Sequence, residues 1–160
     1  MKRILFIIVV LGIYTQLRAQ TATVIKFDKL KSMIDRQNDT TYVYNFWATW
    51  CAGCVEEFPN FQKLSATYST NKLKVVFVSL DFKKNLEKQL QPFITKRNVT
   101  DPVYLLDETD YNSWIDQVDS SWDGNIPATL VVNTASNVHQ MFPHEFTFDQ
   151  LDQAIKPFIH

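Results

Sequence analysis

Cysteine and glycine are scarce in this 160-residue chain, which has two cysteines and three glycines. Only two residues separate Cys51 from Cys54, so the pair cannot form the disulfide framework that staples a small secreted domain. The same spacing is typical of redox or metal chemistry. The sequence also lacks a Gly/Ser linker, an internal repeat and a low-complexity tract, and its length suits a single hydrophobic core. One compact domain is therefore expected.

Positive charge is not in excess, since 16 Lys and Arg face 17 Asp and Glu. This balance argues against nucleic acid as a partner. No apolar run reaches the roughly 18 residues that a membrane-spanning helix needs.

The longest apolar run, Ile4 to Ile13, follows Lys2 and Arg3 and gives way to small and polar residues that end at Ala19. This layout predicts a secretory signal peptide over residues 1–19 and a single domain over residues 20–160. The mature chain would carry a formal charge of −4, because three basic residues and no acidic ones are removed. We therefore expect export to a periplasm, with an uncleaved membrane anchor as the alternative.

Apolar periodicity predicts alternating helices and strands downstream of the signal peptide. The expected strands cover residues 42–48, 74–80, 103–106, 128–133 and 137–142, and the expected helices cover residues 27–36, 52–68, 85–97, 109–118 and 148–158. This order predicts an α/β domain, in which a mixed central β-sheet has helices on both faces.

Cys51 and Cys54 stand where the strand over residues 42–48 passes into a helix. At a helix N-terminus, free backbone N–H groups and the positive end of the macrodipole favour a thiolate, so we expect a lowered pKa for Cys51. Cys54, one turn further in, should be less exposed. The pair predicts reversible disulfide exchange, in which Cys51 attacks a substrate and Cys54 resolves the mixed disulfide.

A zinc site is the alternative use of this spacing, and it needs two further thiolate or imidazole ligands. The candidates, His139, His144 and His160, all come late in the chain. We therefore expect no metal and no other cofactor.

Glu57 lies three residues after Cys54, one helical turn further in. If burial raises its pKa, its carboxylate could accept the proton of Cys54. Alternatively, Glu56 and Glu57 only stabilise the helix N-terminus.

A second notable segment is Ile126-Pro127, which immediately precedes a predicted strand. Sequence alone favours a trans bond there, since about one X–Pro bond in twenty is cis. Trp114 and Trp122 could line a groove on the approach to Pro127, although aromatic residues of this size more often fill a core.

Taken together, several segments resemble the TlpA/ResA-like group of thioredoxin-fold thiol-disulfide oxidoreductases. They are FWATWCAGC, VEEFP, the strand ending VSLD, and NIPATLVVN. The resemblance implies a thioredoxin fold with a cis Pro127 beside the cysteines. It also implies that Trp50, Ile126 and Pro127 bind substrate, with the Ile126 backbone pairing to an extended chain. Asn45 stands where ordinary thioredoxin carries a buried Asp, so the resemblance assigns proton transfer to Glu57.

The expected function is extracytoplasmic thiol-disulfide exchange with protein disulfides or dithiols. We favour a reductase, because the Ala52-Gly53 pair offers no His to stabilise the thiolate. A reductase outside the cytoplasm needs a donor, and we expect a membrane-bound dithiol. The resemblance points to cytochrome c maturation or general thiol reduction, performed by a monomer.

Two other functions stay open. A thiol peroxidase is suggested by the long segment between Leu80 and Ile126, although the Trp50-Cys51 context argues against it. A binding or copper-handling module with idle cysteines could use His139, Met141 and His144. We favour a strand with exposed imidazoles for those three residues, because they do not meet any ligand spacing.

Overall fold

The computed structural model describes residues 20–159, so the predicted signal peptide lies outside the described residues. Six strands form one sheet in the order β1-β4-β3-β2-β5-β6. Strands β1 to β4 pair in parallel, whereas β5 runs antiparallel to β2 and β6 antiparallel to β5. The strands are β1 Thr23–Ile25, β2 Thr41–Trp47, β3 Leu73–Ser79, β4 Val103–Leu106, β5 Ala128–Asn133 and β6 Val138–Phe142.

Helices cover both faces of this sheet and bury a separate core on each. The helices are α1 Phe27–Ile34, α2 Ala52–Thr67, α3 Gln91–Lys96, α4 Ile115–Val118 and α5 Phe148–Ile155. Residues of α2, α3 and α5 share one core, and α1 packs with Trp114 and Trp122 in the other. The predicted mixed sheet with helices on both faces is confirmed. Within residues 20–159, no helix is long and apolar enough to cross a membrane.

The connections differ from the prediction in three places. The three-residue strand β1, too short to show a pattern, was not expected, and it pairs with β4 at one edge of the sheet. The helix expected over residues 85–97 begins as a π-helical turn, Leu86–Leu90, before α3. Pro92 explains this change, since proline has no amide hydrogen and favours the first turn of an α-helix.

The prediction of one continuous helix over residues 109–118 is also wrong. A 3-10 turn, Tyr111–Ser113, is followed by the four-residue helix α4, and Trp114 interrupts the helix with φ −134°. The Trp114 ring is buried against Phe27 and Trp122. The tertiary packing of this large ring thus overrides the helical pattern of the local sequence. Both tryptophans therefore serve core packing, as their size favours.

The phenylalanine Phe58 of α2 is central to the core beneath the sheet. Its ring stacks on Phe77 at 4.0 Å and meets Trp47 edge-on at 4.7 Å. Phe58→Ala should therefore lower the free energy of unfolding by about 3–5 kcal/mol, measured by urea denaturation of the oxidised protein. Phe82→Ala is the matched control, because Phe82 is 56% exposed and its loss should cost within about 0.5 kcal/mol. Equal losses in the two variants would contradict this assignment of the core.

Candidate active site

The two cysteines lie at the junction between the central strand β2 and the helix α2 that follows it. Cys51 is the N-cap residue of α2, and its Sγ accepts a hydrogen bond from the backbone N–H of Cys54 at 3.2 Å. The two residues form a disulfide with their Cα atoms 5.3 Å apart. Cys54 is fully buried and Cys51 is partly exposed. This is the order of exposure that an attacking and a resolving cysteine require.

The loop before Pro127 faces the disulfide. The Ile126-Pro127 bond is cis, as the resemblance implies and against the base rate for such bonds. The carbonyl oxygen of Ile126 lies 3.9 Å from Cys51 Sγ. Trp122 fixes this loop from the core, because its Nε1 donates to the carbonyl of Asn125 at 2.8 Å.

A buried carboxylate that the sequence analysis did not single out holds the turn before the cysteines. Asp81 is 2% exposed and follows the end of β3. It accepts hydrogen bonds from the backbone N–H of Thr49 at 3.0 Å, from the Thr49 hydroxyl at 2.6 Å and from the Ser79 hydroxyl at 2.8 Å. Its position directly after a strand predicted to be central was the available signal.

Glu57 lies beneath the disulfide-bearing turn and is only 3% exposed. Its Oε1 accepts from Asn45 Nδ2 at 2.9 Å, and its Oε2 accepts from the backbone N–H of Phe146 at 2.8 Å. Burial raises the pKa of Glu57 to about 7, since desolvation outweighs the two hydrogen bonds that favour the charged form. The Glu145 carboxylate adds to this rise in pKa. Near neutral pH, Glu57 can therefore either accept or donate a proton.

Glu57 lines a polar cleft of about 440 Å³ that is open to solvent. The cleft is lined by Glu56, Glu57, Asn60, Glu145, Phe146, Thr147 and Gln150. It gives a buried carboxyl an exit for its proton.

Exposed aromatic rings lie near Ile126 and include Trp50, the residue before Cys51. Trp50 is 59% exposed and Tyr111 is 42% exposed. With Leu80 and Ile126 they line an open hollow of about 300 Å³. Leu80 and Tyr111 continue this apolar surface to the exposed Phe82 in an adjoining hollow. The surface that Trp50 shares with Ile126 is therefore largely apolar.

The late histidines do not come together with the cysteines. His139 Nε2 contacts the carbonyl of Val118 at 3.0 Å, whereas His144 packs against Phe146 with ring centroids 4.5 Å apart. Both imidazoles are exposed and Met141 is buried. In residues 20–159, no group of three or more His, Cys, Asp or Glu side chains could hold a metal ion.

A disulfide at the start of the helix that follows a central strand, facing a cis-proline loop, defines a thiol-disulfide oxidoreductase with the thioredoxin fold. The fold is shared with a thioredoxin-related protein from Neisseria meningitidis serogroup B. That structure superposes with a TM-score of 0.65 at 21% identity, over 78% of this chain and 89% of that one.

Sequence comparison gives the family. The AhpC/TSA family matches residues 16–141, and the chain belongs to it. The thioredoxin-like protein YneN of Bacillus subtilis is 35% identical over 128 residues, which cover 78% of this chain and 69% of that protein. The thiol-disulfide oxidoreductase ResA of Oceanobacillus iheyensis is 31% identical over 68% of this chain, which spans only 52% of that relative's length. These relatives confirm the resemblance to the TlpA/ResA-like group.

The raised pKa of Glu57 predicts a pH-dependent penalty on folding. Its folded-state pKa of about 7 exceeds the usual 4.5. The penalty is therefore absent below pH 4.5, grows as the pH rises to about 7, and stays constant above that value. Glu57→Gln removes the titration, so its stability relative to wild type should rise by about 3 kcal/mol between pH 4.5 and pH 8.

The measurement is urea denaturation of both oxidised proteins across this pH range. The change with pH tests the assignment, because any fixed effect of the new amide on its neighbours cancels. Glu56→Gln, at an exposed position of the same helix, should show a flat difference. A flat difference for Glu57→Gln as well would contradict the raised pKa.

Proposed function

We propose that this chain is an extracytoplasmic reductase of protein disulfides. The observation that carries the proposal is the arrangement of three side chains on α2. Cys51, the N-cap residue of α2, is partly exposed, and Cys54 in the first turn of the helix is buried. Glu57 lies one helical turn after Cys54, is also buried, and has a pKa of about 7. The assignment of these three as catalytic residues rests on this arrangement and on the resemblance.

The reaction follows from the order of the three groups. The Cys51 thiolate attacks one sulfur of a substrate disulfide, and the other substrate sulfur leaves as a thiolate. Glu57 then accepts the Cys54 proton, and the Cys54 thiolate attacks Cys51 Sγ of the mixed disulfide. The second substrate thiolate leaves, so the substrate gains two electrons and the protein becomes the Cys51–Cys54 disulfide.

We assign substrate binding to Trp50, Ile126 and Pro127. The Ile126 carbonyl faces Cys51 Sγ, so an extended substrate chain that donates a hydrogen bond to it would bring its own sulfur to Cys51. The exposed ring of Trp50 lines the hollow on the same side. Apolar side chains next to the substrate cysteine would be removed from water there.

A thiol peroxidase is the second candidate. The family match and the long segment between Leu80 and Ile126 favour it. The Trp50-Cys51 context is the feature against it.

The first experiment is to measure the reduction potential of the Cys51–Cys54 couple against defined glutathione ratios, with each tenfold change in equilibrium constant worth about 30 mV. We expect a potential below that of glutathione, and we expect Cys51→Ser to abolish exchange. Cys54→Ser should accumulate a mixed disulfide with a protein substrate.

A potential well above that of glutathione would indicate an oxidant or isomerase. No redox equilibrium at all would favour the binding or copper-handling module with non-catalytic cysteines, and faster oxidation by peroxide than by disulfides would favour the peroxidase.

Export is the part of the proposal that rests on the N-terminal sequence. Lys2 and Arg3 before the apolar run, and the small residue Ala19 after it, support a signal peptide over residues 1–19. Protein recovered from the periplasm of an expressing bacterium should begin at Gln20 when its N-terminus is sequenced. Recovery only from the membrane, with Met1 or Lys2 at the N-terminus, would indicate an uncleaved anchor.

A reductase outside the cytoplasm needs a source of electrons, and we propose a membrane-bound dithiol as the donor. The protein would act as a monomer. Its task would be cytochrome c maturation or general thiol reduction.

A further inference from the structure

The loop over residues 143–147, between β6 and α5, is fixed on the first turns of α2. The backbone N–H of Phe146 donates to Glu57, and its carbonyl accepts from Asn60 Nδ2 at 2.9 Å. The Phe146 ring is buried and packs against Phe142, with centroids 5.6 Å apart. Two hydrogen bonds and one buried ring therefore hold the neighbouring residue, Glu145, at the start of α2.

The Glu145 carboxylate lies against the middle of the Cys-x-x-Cys sequence. A Cβ built on Gly53 would lie only 2.7 Å from Glu145 Oε2, and 3.9 Å from Cδ of Pro127. Glycine at position 53 thus leaves the space that this carboxylate occupies. The charge comes from a loop distant in sequence, so the residues between the cysteines do not reveal it.

Glu145 has no partner in an ion pair among the described residues, although His144 beside it favours the charged form of Glu57 and so partly offsets the negative charge there. The cleft beside it contains two more carboxyl groups, those of Glu56 and Glu57, and its lining includes no Lys or Arg. His144, the adjacent residue, has its Nδ1 on the carbonyl of Glu145. The environment of the first turn of α2 is therefore acidic.

This acidity opposes the effect of the helix N-terminus. The free N–H groups and the macrodipole of α2 favour a thiolate at Cys51. A carboxylate placed at the same helix end disfavours the thiolate through like-charge repulsion. Reduction of the disulfide creates that thiolate, so the repulsion acts on the reduced protein and leaves the neutral disulfide unaffected.

We propose that the Glu145 carboxylate destabilises the reduced form of the Cys51–Cys54 couple and thereby makes the protein a stronger reductant. Glu145 is a positioning residue in this role, since it changes the energy of Cys51 and does not react. The inference rests on the proposed function and deepens it, because it identifies a side chain that lowers the reduction potential of the couple.

The test compares Glu145→Gln with wild type in glutathione equilibria at pH 8, where a larger fraction of Cys51 is ionised than at pH 7. The variant should be up to about threefold easier to reduce, a rise in potential of up to about 14 mV. The pH midpoint for alkylation of Cys51 in the reduced protein should fall by about half a unit. Because Glu145 is exposed, both shifts should shrink between about 10 mM and 0.5 M salt. A purely structural role would not produce this salt dependence.

Two further variants make the test specific. Glu56→Gln removes an equal charge from an exposed position of α2 and should shift the equilibrium less than Glu145→Gln does. Removing Glu145 also favours ionisation of Glu57, so the comparison is repeated in a Glu57→Gln background, where that compensation is absent. An unchanged equilibrium for Glu145→Gln in this background, or an equal shift for Glu56→Gln, would overturn the inference. Failure of the wild-type protein to equilibrate with glutathione would instead overturn the proposed function.

Discussion

The position at which α2 begins is the constraint on which the site depends. A thiolate at Cys51 is favoured only if the free N–H groups of the helix point at it, and only if the turn before the helix keeps its shape. Strand β2 is flanked by β3 and β5, so its end is fixed by a neighbour on each side. Asp81, just after the end of β3, fixes the chain beyond the strands, because its carboxylate accepts hydrogen bonds from the backbone N–H and the hydroxyl of Thr49. The sheet thus extends its rigidity to the residue before Trp50.

The other wall of the site is fixed by a different kind of contact. The loop that carries Ile126 and Pro127 is attached to the core through Trp122, whose ring packs against Phe46 with centroids 4.6 Å apart. Gly124 in this loop has φ +84°, and a Cβ there would lie 2.5 Å from Ile115 Cδ1. The turn before Pro127 therefore favours glycine because of its positive φ, and a side chain there would also displace the Ile115 side chain. Hydrogen bonds set one side of the disulfide and aromatic packing sets the other.

Local sequence predicted those features whose causes are local. The apolar runs of β2 and β3 and the helical spacing of α2 were sufficient to place Cys51 at a helix N-terminus, and the spacing from Cys54 placed Glu57 on the same helix. The partners of Glu57 could not be predicted in the same way. Phe146 lies 89 residues away in the chain, and only the packing of α5 against α2 brings its amide to the carboxyl. The interruption at Trp114 was missed for a similar reason, because the packing of its ring against the distant Phe27 overrides an otherwise helical pattern. The π-helical turn has a local cause, Pro92, which the helical prediction over residues 85–97 did not take into account.

The burial of Glu57 costs folding stability, and the proposed proton transfer depends on that same burial. A carboxyl group removed from water disfavours its charged form, and the two hydrogen bonds from Asn45 and Phe146 only partly offset this cost. Asn45 is an amide, so it can orient the carboxylate without adding a second negative charge to the interior. Had an acid stood at position 45, two buried carboxyl groups would have shared the site, and one of them would have stayed protonated to a higher pH. In the proposed reaction, this single buried acid would exchange one proton with Cys54, and the cleft that Glu57 lines would let the proton reach solvent.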